Sequence, residues 1–262
     1  MTSSPETHLI ARAAAAIRDA RRIAVLTGAG VSAESGVPTF RDAMTGLWAR
    51  YDPHQLATPE AFARDPALVT RWYDWRRCLV GACRPNAGHL ALAALQRWAT
   101  GRGQAFTLLT QNVDGLHQAA GSTGVVELHG SIRTWRCTKT GEEVVPGPEP
   151  MTEFPVRTKA GGLLRPGVVW FGEALPEAAL EAAARAAEEC DVFLSIGTSA
   201  VVYPAAGLVH AAAGAGATTI EVNRDPTPIS RRVDISIRGL SGAVLPAIAA
   251  ALGVAMDENT QK

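Results

Sequence analysis

The sequence predicts an α/β fold in which helices cover both faces of a parallel sheet. Short apolar runs with the composition of buried strands occur at residues 23–27, 106–110, 192–196 and 218–222. Before and between them lie Ala- and Leu-rich segments with helical spacing, at residues 8–20, 88–99, 176–189 and 203–213. Strands that alternate with helices are typical of βαβ units, in which the strands are parallel.

Two segments interrupt this alternation. Residues 39–85 are rich in aromatic residues and look helical, whereas residues 131–169 contain several prolines and little helical periodicity. We therefore expect a single unit over residues 1–262 that has two lobes. The large lobe would comprise residues 8–38, 86–130 and 170–250, and the small inserted lobe residues 39–85 and 131–169.

The composition is that of an ordinary globular protein without a charge bias. Lys+Arg and Asp+Glu each count 25, so nothing indicates nucleic acid or an anionic membrane as a partner. No apolar run reaches the ~20 residues that span a bilayer, and the first residues lack the pattern of a signal peptide. We expect a monomer in the cytoplasm. The cysteines form no C-x-x-C pair, and we expect free thiols at Cys78, Cys83, Cys137 and Cys190.

The first predicted strand ends in a glycine-rich turn, Gly28-Ala-Gly-Val-Ser-Ala33. It fits the G-x-G-x-x-G/A pattern of Rossmann-like sites, whose glycines let backbone N–H groups approach a pyrophosphate at a helix N-terminus. A tight turn without a ligand is the alternative. The acidic residue expected about 20 positions later would fall at residues 40–44, inside a loop, so a dinucleotide would be held differently here.

Further motifs identify a family. The chain contains GAGVSAESGVPTFRD at residues 28–42, TQNVDGLH at 110–117 and ELHGS at 127–131. RPGVVWFGE follows at 165–173, GTS at 197–199 and EVN at 221–223. In this order these blocks resemble the signatures of the sirtuins, and the resemblance covers about residues 15–250.

The resemblance implies a Rossmann-like domain plus a small module, with NAD and an acyl-lysine protein or peptide in the cleft between them. NAD would be a consumed co-substrate. The acyl oxygen attacks C1′ of the nicotinamide ribose, nicotinamide leaves, and a histidine then activates a ribose hydroxyl so that the acyl group ends on ADP-ribose.

The resemblance also assigns residues. His129 would be the general base, since a histidine pKa of ~6.5 suits that task, and Asn112 and Asp114 would hold the ribose and the nicotinamide. The NAD contacts would be Gly28, Ala29, Gly30, Ser32, Ala33, Phe40, Arg41, Gln111, Asn112, Val113, Asp114, Gly197, Thr198, Ser199, Asn223, Arg224, Asp225 and Ser241. The peptide would pair with the backbone of Val168, Trp170, Phe171 and Gly172. Without the resemblance, the sequence would favour a structural role for His129, and Asn112 and Asp114 would be interpreted as residues that cap a helix.

The chain departs from the family at the zinc module, which usually carries two C-x-x-C pairs. Here the first pair reads Cys137-Thr-Lys-Thr140, and the second falls on residues 157–160, Arg-Thr-Lys-Ala. One thiolate cannot form a closed tetrahedral site. We therefore expect no zinc and no other metal, and a small module held by packing and turns.

Tyr73 and Arg76 bear on the choice of acyl group. They are three residues apart on a predicted helix over residues 68–80 and so share one face. Tyr-x-x-Arg at this place, with the small Ala43 nearby, resembles the sirtuins that remove succinyl and other acidic acyl groups. The alternative is a solvated Arg76 beside a packed aromatic ring.

Two other functions remain open at this point. A mono-ADP-ribosyltransferase could use the same cleft, and a protein that senses NAD or ADP-ribose could have lost turnover. The presence of His129, Asn112 and Asp114 argues against the sensor.

Overall fold

The computed structural model describes residues 5–38 and 52–256, so Phe40, Arg41 and Ala43 lie outside the described residues. In chain order its helices are α1 (Pro5–Asp19), α2 (Pro53–Leu56), α3 (Pro59–Arg64), α4 (Pro66–Ala82), α5 (Ala87–Gly101), α6 (Leu116–Ala119), α7 (Glu177–Glu189), α8 (Leu208–Gly214) and α9 (Ser241–Ala251). Its strands are β1 (Arg22–Thr27), β2 (Ala105–Thr110), β3 (Val126–Glu127), β4 (Gly130–Cys137), β5 (Glu143–Val144), β6 (Leu164–Val168), β7 (Val192–Ile196), β8 (Thr218–Asn223) and β9 (Ile235–Arg238).

Six strands form a large parallel sheet in the order β3-β2-β1-β7-β8-β9. Strand β1 lies in the middle, and Thr27 at its end is in register with Thr110 on β2 and Ile196 on β7. The carboxyl ends of these strands therefore meet at one edge, where open α/β sheets bind ligands. The predicted α/β fold with a parallel sheet is confirmed.

Helices cover both faces of this sheet. Ile17 of α1, Leu92 of α5 and Ile248 of α9 pack in one buried cluster with Val25 of β1. On the opposite face, α7 and α8 form a second cluster with the alternate residues of β1 and β7. Strands buried on both faces have the continuous apolar sequences from which they were predicted.

Some elements differ from the sequence prediction. The helix expected at residues 203–213 begins only at Leu208, because a 3₁₀ turn, Ala205–Gly207, comes first. Strands β3 and β9 were not predicted, since two and four residues carry too little pattern. Helix α4 runs further than the expected residues 68–80, and the Asp65 side chain caps it by accepting a hydrogen bond from the N–H of Leu68.

A small antiparallel sheet, in the order β5-β4-β6, lies in the proline-containing segment that showed little helical periodicity. Helix α4 packs on it through a buried cluster that includes Trp72, Ile132, Trp135 and Trp170. The residue limits that we expect for the two lobes stay a prediction. None of the helices within the described ranges is both long and apolar enough to cross a membrane.

A buried ion pair fastens the proline-rich loop of the small sheet to α4. Arg77 donates to Asp74 Oδ1 at 2.7 Å and to the carbonyl oxygens of Gly147 and Glu149 at 2.5 and 2.7 Å. The N–H of Met151 donates to the other oxygen of Asp74 at 2.9 Å. Both charged side chains are nearly inaccessible, and their hydrogen bonds satisfy them without water.

Candidate active site

A long cavity of about 1140 Å³ lies at the carboxyl ends of β1, β2, β7 and β8 and extends to the small sheet. All predicted site residues that the structure describes line it, from the glycine-rich turn to Ser241. Phe40, Arg41 and Ala43 are the predicted residues outside the described ranges. The structure thus brings the dispersed sequence motifs together.

The glycines of the first turn line the cavity and also pack against the end of β7, while their expected contact with a pyrophosphate stays a prediction. The N–H of Gly28 donates to Ile196 and that of Gly30 to Gly197, at 3.0 and 2.7 Å. A Cβ added to Gly30 would lie 2.7 Å from the Gly197 oxygen, so only glycine permits this approach. The glycines join the ends of β1 and β7, and the 3₁₀ turns Ala29–Val31 and Ala33–Ser35 follow instead of the expected helix.

Ser32 is the centre of a buried polar network in the wall of the cavity. Its hydroxyl donates to Asp114 Oδ2 at 2.7 Å and accepts from Asn112 Nδ2 at 3.1 Å. The Asn112 amide also donates to the Gly28 carbonyl at 3.2 Å. These bonds fix the two polar residues of the second motif against the glycine-rich turn, so their side chains are oriented before any ligand binds.

His89 belongs to this network, although the sequence analysis did not single it out. Its Nδ1 accepts from the N–H of Asn86 at 3.3 Å, so its Nε2 carries the proton and faces Ser32 Oγ at 3.3 Å. Burial lowers the pKa of His89 to about 4, although Asp114 opposes the shift, and the ring is neutral at pH 7. The only sequence signal was the spacing of Asn86 and His89, which form a capping box on α5.

His129 directly precedes β4, and its ring is held by the backbone carbonyl of Gln111, which directly follows β2. Its Nδ1 lies 2.9 Å from the carbonyl oxygen of Gln111, which can only accept, so Nδ1 carries the proton. Nε2 of the neutral ring therefore has the free lone pair that a general base needs. Burial lowers the pKa of His129, and the bond to Gln111 partly offsets this shift.

Several of the residues expected to contact NAD are held by hydrogen bonds to other residues of the site or to their neighbours. Gln111 Nε2 donates to Thr198 Oγ1 at 3.0 Å, and Asn223 Nδ2 donates to the Asp225 carbonyl at 3.0 Å. Ser241 begins α9, where Glu34 accepts from its hydroxyl at 3.1 Å and from the next N–H at 2.8 Å. Glu34 was missed because nothing local in the sequence marks a contact to a helix so far along the chain.

Tyr73 and Arg76 line the cavity from α4. Tyr73 is 3% exposed and its ring contacts Trp72 edge to face, with centroids 4.6 Å apart. Arg76 is 9% exposed, and its guanidinium lies 5.2 Å above the Trp72 ring. Burial raises the pKa of Tyr73 and lowers that of Arg76, while each group opposes the shift of the other. Arg76 is thus not the solvated helix residue of the alternative interpretation.

The segment expected to pair with a peptide, residues 168–172, forms one wall of the cavity. The N–H groups of Val169, Trp170 and Phe171 already donate hydrogen bonds within the protein at 2.9 Å. Pairing at this edge would therefore have to use carbonyl oxygens and the N–H of Gly172. The exposed apolar residues 201–203 line the same cavity.

The remnant of the zinc module is a turn around one buried thiol. Cys137 Sγ lies 3.1 Å from the hydroxyl of Thr158, in the segment where the second cysteine pair was expected. Hydrogen bonds from the side chains of Thr140 and Thr158 lower the pKa of Cys137 to about 6. Among the described residues, no three His, Cys, Asp or Glu side chains lie close enough to share a metal ion. The absence of zinc stays a prediction.

Comparisons with known proteins agree with these motifs. The model of the Sir2 family matches residues 28–204. NAD-dependent protein deacylase 2 of Pyrobaculum aerophilum is 53% identical over 231 residues, which cover 88% of this chain and 90% of that protein. A crystal structure of a Sir2 homologue in complex with NAD has 45% identity and a TM-score of 0.84, covering 92% of this chain and 93% of that one.

A mutant Sir2 homologue in complex with 2′-O-acetyl ADP-ribose is also similar, with 44% identity and a TM-score of 0.85. The match covers 95% of this chain and 98% of that one. A family match over most of the chain, together with relatives of this identity, decides the relationship. This chain belongs to the Sir2 family, the sirtuins that its motifs resemble.

Proposed function

We propose that this chain is an NAD-dependent protein-lysine deacylase that transfers the acyl group to ADP-ribose and releases nicotinamide. The observation that carries the proposal is the tautomer of His129, whose bond to Gln111 leaves Nε2 unprotonated in the cleft. The cavity volume of about 1140 Å³ exceeds the ~300–1,000 Å³ typical of a site for one small molecule. It is large enough for a dinucleotide and an acyl-lysine together.

The residues can divide the reaction into two steps. In the first, the acyl oxygen forms a bond to C1′ of the nicotinamide ribose while the bond from C1′ to nicotinamide breaks. Asn112 and Asp114 orient the ribose and the leaving group, because such a substitution depends on positioning and on exclusion of water. Ser32 keeps that pair in place through its two hydrogen bonds, and neutral His89 contacts the Ser32 hydroxyl.

In the second step, His129 Nε2 takes the proton of a ribose hydroxyl, and that oxygen attacks the acyl carbon. The lysine nitrogen is protonated and leaves as an amine when its bond to the acyl carbon breaks. Water then adds to the acyl carbon, and the bond from that carbon to the C1′ oxygen breaks, which leaves acyl-ADP-ribose. The histidine has to be neutral for this step, and its burial, which lowers its pKa, keeps it so at pH 7.

The acyl group that fits best carries a carboxylate, such as succinyl. Tyr73 and Arg76 supply a hydroxyl and a guanidinium to the cavity wall from one face of α4. A guanidinium can hold a carboxylate through two parallel hydrogen bonds. This is a preference within the deacylase function.

Mass spectrometry of acetyl- and succinyl-lysine peptides with and without NAD tests the function. We expect one nicotinamide and one acyl-ADP-ribose for each acyl group removed, and no removal without NAD. Release of nicotinamide without an acyl peptide, with ADP-ribose left on protein, would favour the transferase instead. Binding of NAD without any turnover would favour the sensor.

A further inference from the structure

Three hydrogen bonds connect the start of β4 to the loop that carries Asn112 and Asp114. His129 Nδ1 donates to the Gln111 carbonyl at 2.9 Å, and the N–H of Ile132 donates to the Val113 carbonyl at 3.0 Å. Arg133 Nε donates to the Asp114 carbonyl at 3.0 Å. The first bond uses the general base and the second uses backbone alone. Arg133 therefore makes the one link of the three that a substitution can remove without touching the base or the main chain.

The Arg133 side chain packs against Gly115 in a way that requires a glycine at that position. Gly115, next to Asp114, has a φ of +69°, and a Cβ placed on it would lie 2.8 Å from Arg133 Nε. Only glycine adopts this backbone conformation easily and leaves the space that the guanidinium occupies. Arg133 does not line the cavity, so it reaches the site through the loop and not through a ligand.

The residue that Arg133 contacts is fixed from several sides. Asp114 Oδ1 accepts from the N–H of Leu116 at 2.9 Å, and Oδ2 accepts from Ser32 at 2.7 Å. The bond from Arg133 to the carbonyl adds a charged donor on the backbone side. A shift of the Asp114 backbone would move its carboxylate relative to Ser32 and, through Ser32, the amide of Asn112.

We propose that Arg133 is a positioning residue for NAD. It holds the turn at Asp114 and Gly115 in register with β4, so that Asn112 and Asp114 keep their places relative to His129. The proposal rests on the function proposed above, in which that pair orients the nicotinamide ribose. Loss of Arg133 should therefore weaken the binding of NAD and not that of the acyl peptide. The residues proposed to contact the acyl group, Tyr73 and Arg76, lie on α4, which Arg133 does not hold.

The test is Arg133→Met, which keeps an aliphatic stem over Gly115 and removes the donor. We expect the KM for NAD to rise about tenfold, the size of one lost hydrogen bond to a charged group, while the KM for the acyl peptide stays within twofold. Exchange of labelled nicotinamide into NAD should weaken in parallel. Arg133→Lys should recover part of the loss, because an ammonium group can still donate to the carbonyl.

Arg136→Met is the matched control, since Arg136 is exposed on the same strand, as Arg133 is, but makes none of the three hydrogen bonds described above. It should leave both KM values unchanged. If Arg133→Met leaves the KM for NAD within twofold, the proposal is wrong. It is equally wrong if kcat and both KM values worsen together with the melting temperature, because that pattern indicates a structural role alone.

Calorimetric titration with NAD separates this proposal from the proposed function. A wild type that binds NAD but removes no acyl group would contradict the deacylase function. The NAD affinities of wild type and Arg133→Met would still decide the role of Arg133, which needs a difference of about tenfold between them.

Discussion

His129 Nδ1 lies 2.9 Å from the backbone carbonyl oxygen of Gln111, and this contact determines which ring nitrogen can act as a base. His129→Ala should therefore lower NAD-dependent deacylation by ~10²–10⁴-fold, the usual effect of removing a general base. Turnover is measured by release of the free lysine peptide. NAD affinity, measured by calorimetry, should change much less. A variant within threefold of wild-type turnover would contradict the assignment.

The pH dependence of kcat should report the same group. Burial lowers the pKa of His129 from its ordinary value of 6.5, and the neutral form is the active one. Activity should therefore decline as the pH falls, with the midpoint of that decline below 6.5. Initial rates from about pH 5 to 8 at saturating NAD and peptide measure it. A midpoint above the ordinary histidine value would contradict the effect of burial.

The ion pair between Arg77 and Asp74 should be important for stability, because both side chains are buried and bonded to the proline-rich loop. Arg77→Met leaves a buried carboxylate without its cation, which typically costs about 3–5 kcal/mol. Urea unfolding measures the change. Glu189→Gln, at the exposed pair of Arg22 and Glu189, is the control and should change the unfolding free energy by less than about 1 kcal/mol.

The protein should contain no structural zinc. Metal analysis of protein purified without chelator should find well under one zinc per chain, and a chelator should leave the melting temperature unchanged. A triple variant with Thr140→Cys, Arg157→Cys and Ala160→Cys restores the two cysteine pairs of the family and serves as the positive control. Stoichiometric zinc in the wild type would contradict the prediction.

Sequence patterns predicted the strands and the helix face that depend on residues close together along the chain. The apolar runs of β1 and β7 are strands because both faces of the sheet are covered, and Tyr73 and Arg76 share a helix face because of their spacing. The bond from Arg133 to Asp114 joins elements whose pairing no periodicity encodes.

The contact between Gly30 and Gly197 could not be predicted from the sequence for a related reason. A glycine after a strand indicates a close backbone approach, and the sequence cannot tell whether the neighbour is a pyrophosphate or another turn of the protein. Here the neighbour is Gly197. The bond from Glu34 to the start of α9 likewise depends on how the chain returns to the site after a long interval.

The last prediction concerns acyl choice, and it rests on a buried cation. Arg76 is 9% exposed in the cavity wall and Tyr73 is 3% exposed beside it. An acyl carboxylate that reaches them would gain hydrogen bonds to a charged group, worth about 1.5–3 kcal/mol each. We therefore expect the kcat/KM for succinyl-lysine to exceed that for acetyl-lysine, and salt to weaken this preference only mildly because the site is shielded.

Two variants separate a recognition role from a structural one. Arg76→Met keeps much of the side-chain volume and should lower desuccinylation by ~10²-fold while deacetylation stays the same or rises. Tyr73→Phe removes one hydroxyl and should lower desuccinylation by roughly tenfold. Competition between the two acyl peptides at equal low concentration gives the ratio directly. Faster removal of acetyl by the wild type would contradict the preference. If Arg76→Met lowers the rates of desuccinylation and deacetylation equally, the guanidinium supports the fold of α4 and does not recognise the acyl group.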